Sequence, residues 1–163
     1  MSRARIEQLL ESVDEASRWV WSVVRDITDD EYRWKPVPDA FTLRDAWPQP
    51  GEGPSTIEFK LAHLAGWKAR YANFTFGDGT HSWQHVLAQD SLEKMLAYLK
   101  QAEEFFRGGV AALEDANLED RRPTGWGKVS RLGSTVVHMI QHDVYHVGQI
   151  RTMRGLYQVM ARR

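Results

Sequence analysis

The sequence predicts an all-α protein, a four-helix bundle that forms one domain over residues 1–163. Apolar residues recur at spacings of three and four in four separate segments, which is the period of an amphipathic helix. No two segments show the alternating pattern of paired strands. The chain is long enough to bury one sizeable core, so we expect the four segments to pack together.

The first helix is predicted from an apolar stripe that lasts for about six turns. Ser2 is its expected N-cap, because a serine hydroxyl can accept a hydrogen bond from an unpaired amide of the first turn. The stripe consists of Ile6, Leu9, Leu10, Val13, Ala16, Trp19, Val20, Val23, Val24 and Ile27.

A long ordered loop is predicted next, over residues 29–55. It holds five of the six prolines, and proline interrupts a continuous helix. Five apolar residues argue against a flexible linker, because they can anchor the loop on the core. These residues are Tyr32, Trp34, Phe41, Leu43 and Trp47.

The second helix is delimited by a capping pattern and by glycine. Ser55 and Glu58 form the S-x-x-E pattern of a capping box, which predicts a helix from this point to about Phe74. The sequence GDGTHS, residues 77–82, then breaks the chain.

The third and fourth helices complete the predicted bundle. The third is expected to start near Asp90 and to continue to about Leu113, with the consecutive glycines at 108–109 weakening its middle. The fourth is expected to start at Ser130, a candidate cap, and to reach Arg154 or beyond.

Composition narrows the classes of function. A formal net charge of −1 gives no general attraction to nucleic acid or to a membrane surface. The chain has no cysteine, which excludes a disulfide framework, a thiolate metal site and a thiol nucleophile of its own. The N-terminal segment is too charged for a signal peptide, and no stretch approaches the length of a membrane span. We therefore expect a soluble, cytoplasmic protein.

Half of the six histidines lie in one short stretch, at His138, His142 and His146. On a helix, His142 and His146 fall within the apolar stripe or at its edge, whereas His138 falls on its flank. Residues four apart lie about 6 Å apart along the axis and share a face, so His142 and His146 can bind one metal ion. His138 and His146 are about 12 Å apart along the axis, too far for metal–nitrogen bonds of about 2.1 Å to include all three.

A third ligand has to come from another helix, and His63 on the second helix is the candidate. Three neutral imidazoles and one water are a common arrangement in catalytic metal sites. Simpler interpretations remain open, since a histidine pair on a helix is often structural and a single inward histidine often belongs to the core.

Other polar residues are weaker candidates. His81 and His85 form a second pair, but no apolar stripe supports them. Asp143 is either a carboxylate that supports a ligand or a surface residue. The basic C-terminal end is interpreted as a solvated helix end, and no interleaved aromatics indicate contact with nucleic acid there. Its members are Arg151, Arg154, Arg162 and Arg163.

The sequence resembles a known family at three motifs. These are LAHLAGW at residues 61–67, HMIQHDVYHVGQI at residues 138–150, and the W-x-P element from Trp34 to Pro36. Together they resemble the DinB/YfiT-like superfamily of metalloenzymes over most of the chain. The resemblance implies a four-helix bundle with up-down-down-up topology, and members often form homodimers.

The resemblance also implies one divalent metal ion on His63, His142 and His146, the same triad that helix geometry favours. Nickel or zinc is expected, with iron or manganese as alternatives. Relatives include thiol-dependent S-transferases and a thiol-dependent isomerase. The FTLRDAW segment at residues 41–47 replaces the short Trp-Ser element that is usual in the family, so substrate preference does not transfer.

Two hypotheses of function follow. The first is a metal-dependent transferase or hydrolase that activates a small-molecule thiol or water for attack on a small electrophile. Because the chain lacks cysteine, any thiol must be a cosubstrate. The second is a metal-binding or stress-response protein without turnover. No general base can be assigned, although Asp143, Tyr145 and Gln149 are nearby, and a nucleic-acid partner is not expected.

Overall fold

The computed structural model of the chain describes residues 3–46 and 54–160. Its four long helices confirm the predicted all-α fold. The expected cap Ser2, the loop residue Trp47 and the terminal Arg162 and Arg163 lie outside the described residues. The long helices are α1 (Ala4–Val24), α4 (Ile57–Phe76), α6 (Leu92–Ala111) and α7 (Leu132–Met160). The short elements are α2 (Asp29–Arg33), α3 (Leu43–Ala46), α5 (Gln84–Leu87), a 3-10 helix (Asp115–Glu119), β1 (Arg121–Pro123) and β2 (Val129–Arg131).

The predicted loop contains α2 and α3 and is anchored on the core as its apolar residues suggested. Tyr32 is 1 % exposed and Leu43 is 4 % exposed. Phe41 pairs with Ser55 in an isolated bridge, which ties the loop to the start of α4. The loop is therefore ordered where the structure describes it.

The start of α4 is displaced by one residue from the predicted capping box. The N-cap is Thr56, whose Oγ1 accepts a hydrogen bond from the amide of Phe59 at 3.2 Å. Ser55 cannot take this position because it belongs to the bridge with Phe41. Glu58 instead accepts a hydrogen bond from the amide of Leu43 at 3.3 Å.

A β-hairpin precedes α7, and the prediction that the chain has no strand pair is wrong. β1 and β2 pair antiparallel, with Arg121 opposite Arg131. Each strand has only three residues, which is too short for an alternating pattern to stand out. Ser130 lies in β2 and is not a helix cap. The turn uses Gly127 at a φ of 73°, a conformation that glycine adopts without strain.

The consecutive glycines do not weaken the middle of α6, because they lie in its last turn. A Cβ atom on Gly109 would approach Cγ of Phe76 to 2.3 Å. The missing side chain therefore lets the ends of α4 and α6 come into close contact.

Each long helix contacts two others around a shared core. α1 and α4 both pack against α6 and α7, which places α1 and α4 at opposite corners. Arg3 at the start of α1 donates hydrogen bonds to the carbonyls of Ala111 and Leu113 at the end of α6. Arg154, late in α7, donates to the carbonyl of Val23 at the end of α1. The up-down-down-up order stays a prediction, and these contacts agree with it.

The centre of the core is formed mainly by α4, and the helices around it contribute aliphatic side chains. Fully buried members are Val20, Ile57, Leu61, Leu64, Met95, Leu99 and Ile150. Among the described residues, no helix combines the length and the apolarity needed to cross a membrane. The tight packing between α4 and α7 fixes the backbone that carries the histidines.

Candidate metal centre

α4 and α7 bring His63, His142 and His146 together. One nitrogen from each ring lies within 4.8 Å of the others. The ring centroids are separated by 4.4 Å for His142 and His146, by 4.8 Å for His63 and His146, and by 5.4 Å for His63 and His142. Two nitrogens bound to one ion at about 2.1 Å lie at most about 4.2 Å apart, so small rotations of the side chains bring the three nitrogens to metal-binding distance. The three residues can therefore hold a metal ion.

The other histidines lie outside this group. His138 is exposed, and its ring lies 5.5 Å from that of Tyr71. His81 shares a hydrogen bond with the hydroxyl of Tyr98, so its Nε2 is already engaged. His85 is bonded to Ser82 through its Nδ1. In the described part of the chain, no second cluster of three histidines or carboxylates has metal-binding spacing.

The ring nitrogens of the triad are arranged to bind a metal ion. Both ring nitrogens of His142 are buried and lack a hydrogen-bond partner. Burying a polar group without a partner is costly, and a metal–nitrogen bond would satisfy one of the two atoms. Nδ1 of His146 donates to Oε1 of Gln149 at 2.8 Å. This bond fixes the tautomer and leaves the lone pair of Nε2 for a metal.

Burial holds the three imidazoles in the neutral form that binds metals. Desolvation, together with the neighbouring His146 and Lys60, lowers the pKa of His63 to about 3. Desolvation and the adjacent histidines lower the pKa of His142 to about 2. For His146, desolvation lowers the pKa and the hydrogen bond to Gln149 opposes this effect, and the result is a pKa of about 4. All three rings are therefore unprotonated at neutral pH.

A buried ionic network lies directly beside the triad. Lys68 of α4 is 2 % exposed and contacts Oδ2 of Asp143. Its ammonium also lies 3.5 Å from Oε1 of Glu103 on α6. Oε2 of Glu103 in turn accepts hydrogen bonds from the indole of Trp21 at 2.6 Å and the hydroxyl of Ser17 at 3.1 Å. The network thus connects all four long helices.

The alternative that Asp143 is a surface residue is wrong, because it is 3 % exposed. Desolvation raises the pKa of Asp143 to about 6, and the positive charge of Lys68 opposes the rise. Sequence reasoning missed Lys68 and Glu103. Lys68 continues the inward positions of Leu61 and Leu64 on α4, so a charged residue on the apolar face was the available signal.

Aromatic residues form a wall on the other side of His63. The ring of Trp67 lies 6.1 Å from that of His63 and stacks on Trp126 at 3.9 Å. Trp83 meets Trp67 edge-on at 4.7 Å. Trp126 comes from the turn of the hairpin and is 54 % exposed. The hairpin that sequence reasoning missed therefore supplies part of the surroundings of the site.

An open cleft of about 550 Å³ lies between α7 and the start of α4, and two of its lining residues contact His146. Gln149, which is bonded to His146, lines the cleft together with Tyr145, whose ring lies 5.1 Å from that of His146. Lys60 and Ser55 from the start of α4 line its other wall. A small molecule in this cleft would lie next to the histidines.

The fold and the site together define a class of protein: a helical bundle with a histidine triad between two helices that can hold a metal ion. The sequence profile of the DinB superfamily matches residues 12–150, a range that includes all three histidines. The chain belongs to the DinB superfamily, which confirms the resemblance of the motifs. No curated protein matches the chain.

Proposed function

We propose that the chain is a metal-dependent transferase or hydrolase that activates a small-molecule thiol or water for attack on a small electrophile. The observation that carries the proposal is the partly buried, neutral histidine triad, in which both nitrogens of His142 lack a partner. Such a set of nitrogens suits nickel or zinc, with iron or manganese as alternatives. His63, His142 and His146 would hold the ion.

A divalent ion held by three histidines supplies a Lewis acid that lowers the pKa of a water or thiol bound to it. The chain's own residues prepare the site for that chemistry. Gln149 holds His146 in one tautomer, and the Lys68 network keeps α7 against α4. The cleft beside His146 would admit the substrate and, since the chain has no cysteine, the thiol as well.

A metal-binding or stress-response protein without turnover is the alternative. In it the histidine triad is structural or binds a ligand without turnover, and a closed site with a fourth protein ligand would favour it. Among the described residues, the cluster that can hold an ion has three members, and Gln149, which is bonded to His146, lines an open cleft. This geometry favours the enzyme.

We also propose the domain organisation, the oligomeric state and the location of the protein. We infer a single domain over residues 1–163, a homodimer and a cytoplasmic location, which the family resemblance and the expectations from composition support. The partner we propose is a small molecule, and the nearly balanced charge gives no support to a nucleic-acid partner.

Metal analysis of tag-free protein tests the proposal. We expect about one equivalent of metal in the wild type and a loss of most of it in His63→Ala and in His142→Ala, since two ligands make a weak site. His138→Ala is the matched control, because this exposed histidine lies one helical turn before His142. Circular dichroism checks that each variant is folded.

Two outcomes would count against the proposal. If the wild type takes up neither zinc nor nickel, the triad is an internal polar cluster and the enzyme loses its proposed chemistry. If the wild type binds one equivalent but transfers no small thiol to any electrophile and hydrolyses none, the alternative without turnover is favoured.

A further inference from the structure

The cleft beside His146 has an unusual lining. Its described walls contain one positive charge, Lys60, and no carboxylate. Lys60 lies on α4 one turn before His63, so its charge is close to the triad. A small molecule that contacts the histidines from this side must also pass Lys60.

Lys60 makes no ion pair with any described carboxylate. Its side chain is half-buried, and its ammonium lies 6.0 Å from the ring centre of Phe59. Desolvation lowers the pKa of Lys60, which indicates that water solvates its charge incompletely. A partly buried cation without a counter-ion is a favourable position for an anion.

Two further donors lie in the same walls. Ser55 is 2 % exposed, and its Oγ is buried without a hydrogen-bond partner. Gln149 uses its Oε1 to accept from His146, which leaves the two N–H groups of its amide to donate. Thr152 differs, because its hydroxyl already donates to the carbonyl of Gly148 at 2.9 Å. Lys60, Ser55 and Gln149 therefore offer donors in one cleft.

We propose that Lys60, Ser55 and Gln149 form an oxyanion site that binds the carboxylate of a small acidic substrate and places its reactive group beside the histidine triad. The inference rests on the proposed metal-dependent function, for which it names the class of substrate. A carboxylate would pair with Lys60 and accept hydrogen bonds from the other two residues. A neutral ligand would leave the charge of Lys60 unpaired, and an ammonium would be repelled.

Two thiols that differ in charge test the site in nickel-loaded protein. Mercaptoacetate carries a carboxylate and 2-mercaptoethanol does not, and the absorption of a thiolate bound to nickel reports the binding of both. We expect mercaptoacetate to bind the wild type about tenfold more tightly, since one partly desolvated ion pair accounts for a factor of this size. Lys60→Met should reduce the preference to about twofold without changing the affinity for 2-mercaptoethanol.

Two variants control for effects other than charge at this position. Lys60→Arg keeps the charge and should keep most of the preference. Lys35→Met removes a charge from an exposed lysine of the loop and should behave as the wild type. If the wild type and Lys60→Met show the same preference, the oxyanion site is wrong.

A metal-free measurement separates this inference from the proposed function. Amide shifts in two-dimensional NMR are followed while mercaptoacetate or inorganic phosphate is added to the metal-free protein. We expect mercaptoacetate to shift the signals of Ser55, Lys60 and Gln149, and this response should be lost in Lys60→Met.

The results of metal uptake and of Lys60-dependent ligand binding are interpreted together. Failure to take up metal, with Lys60-dependent shifts retained, overturns the proposed function and supports the oxyanion site. Metal uptake with no Lys60-dependent binding in either experiment overturns the oxyanion site alone. Binding of phosphate without binding of the carboxylate overturns the assignment to carboxylate substrates.

Discussion

The histidine triad and the Lys68 network are neighbours along α4 and α7, but their polar groups are satisfied in different ways. Lys68 contacts both Asp143 and Glu103, so two carboxylates share one ammonium, although Oδ1 of Asp143 and Oε1 of Glu103 accept no hydrogen bond. In the triad, both nitrogens of His142 lack a partner, although the ring is largely buried. The same helices thus carry one cluster held together by ion pairs and one in which a histidine has no partner at either ring nitrogen.

The difference indicates a structural role for the Lys68 network and a binding role for the histidine triad. Paired buried charges hold the helices in one arrangement, and removal of one partner leaves another charge buried and uncompensated. Unpaired buried nitrogens lower stability and persist where a ligand completes them. Three measurements of stability test this difference between the two clusters.

The largest expected effect is that of Lys68→Met. The variant leaves Asp143 and Glu103 buried without their cation, which should lower the free energy of unfolding by about 3–5 kcal/mol. Urea denaturation of the metal-free protein measures the change. Lys94→Met removes an exposed lysine paired with Asp90 at 2.8 Å and should cost about 1 kcal/mol or less. Equal losses in both variants would mean that the network has no special role.

The second effect is a loss of stability in acid that comes from the triad. The folded-state pKa values of His63, His142 and His146 lie below the unfolded value of 6.5, so the unfolded state binds protons first as the pH falls. Stability is therefore full above pH 6.5 and decreases below it. Between pH 7 and pH 5 we expect each of the three histidines to lower the stability of the metal-free protein by up to about 2 kcal/mol, before the opposing effect of Asp143 is counted.

The protonation of Asp143 changes the stability in the opposite direction to that of the histidines as the pH falls. Its folded-state pKa is raised to about 6 from 3.8, so over this range it takes up a proton more readily when folded, and this offsets part of the loss. Urea denaturation at a series of pH values measures the net effect. His142→Gln should make the dependence on pH shallower, whereas His138→Gln should leave it unchanged. A wild-type stability that stays constant from pH 7 to pH 5 would contradict the burial of neutral histidines.

The smallest of the three is the effect of added zinc. An ion that binds the folded state alone should stabilise the wild type by about 2.7 kcal/mol at a hundredfold excess over its dissociation constant. His142→Leu should abolish this gain, yet cost the metal-free protein less than Lys68→Met does, because it removes two unpartnered nitrogens. Thermal unfolding with and without zinc measures both quantities. An equal gain in the variant would exclude His142 as a ligand.

Much of the fold was predictable from the sequence because apolar periodicity is a local signal. The four long helices lie close to their predicted segments, and α4 begins two residues after the predicted capping serine. The errors occur where tertiary contacts compete with local preference. Ser55 is held by the bridge to Phe41, which leaves Thr56 as the cap, and the hairpin strands are too short to carry a pattern.

Part of the candidate site was also predictable. Spacing on one helix identifies His142 and His146 as neighbours, and one inward histidine on another helix suggests a third member. The acceptor for His146 was not predicted, although Gln149 lies only three residues further on. Lys68 and Glu103 were missed because charged residues on an apolar face are informative only when their partners are known.

The sequence by itself determined which faces of the helices are apolar, which histidines point inward and which family the motifs resemble. These properties depend on residues a few positions apart, which the helical repeat brings together. Contacts between distant segments established that Lys68 meets Glu103 and Asp143, that Trp126 covers Trp67, and that Lys60 shares a cleft with Gln149, the partner of His146. Those contacts join helices, a hairpin and a loop that are distant in the chain, and their geometry depends on how the whole core packs.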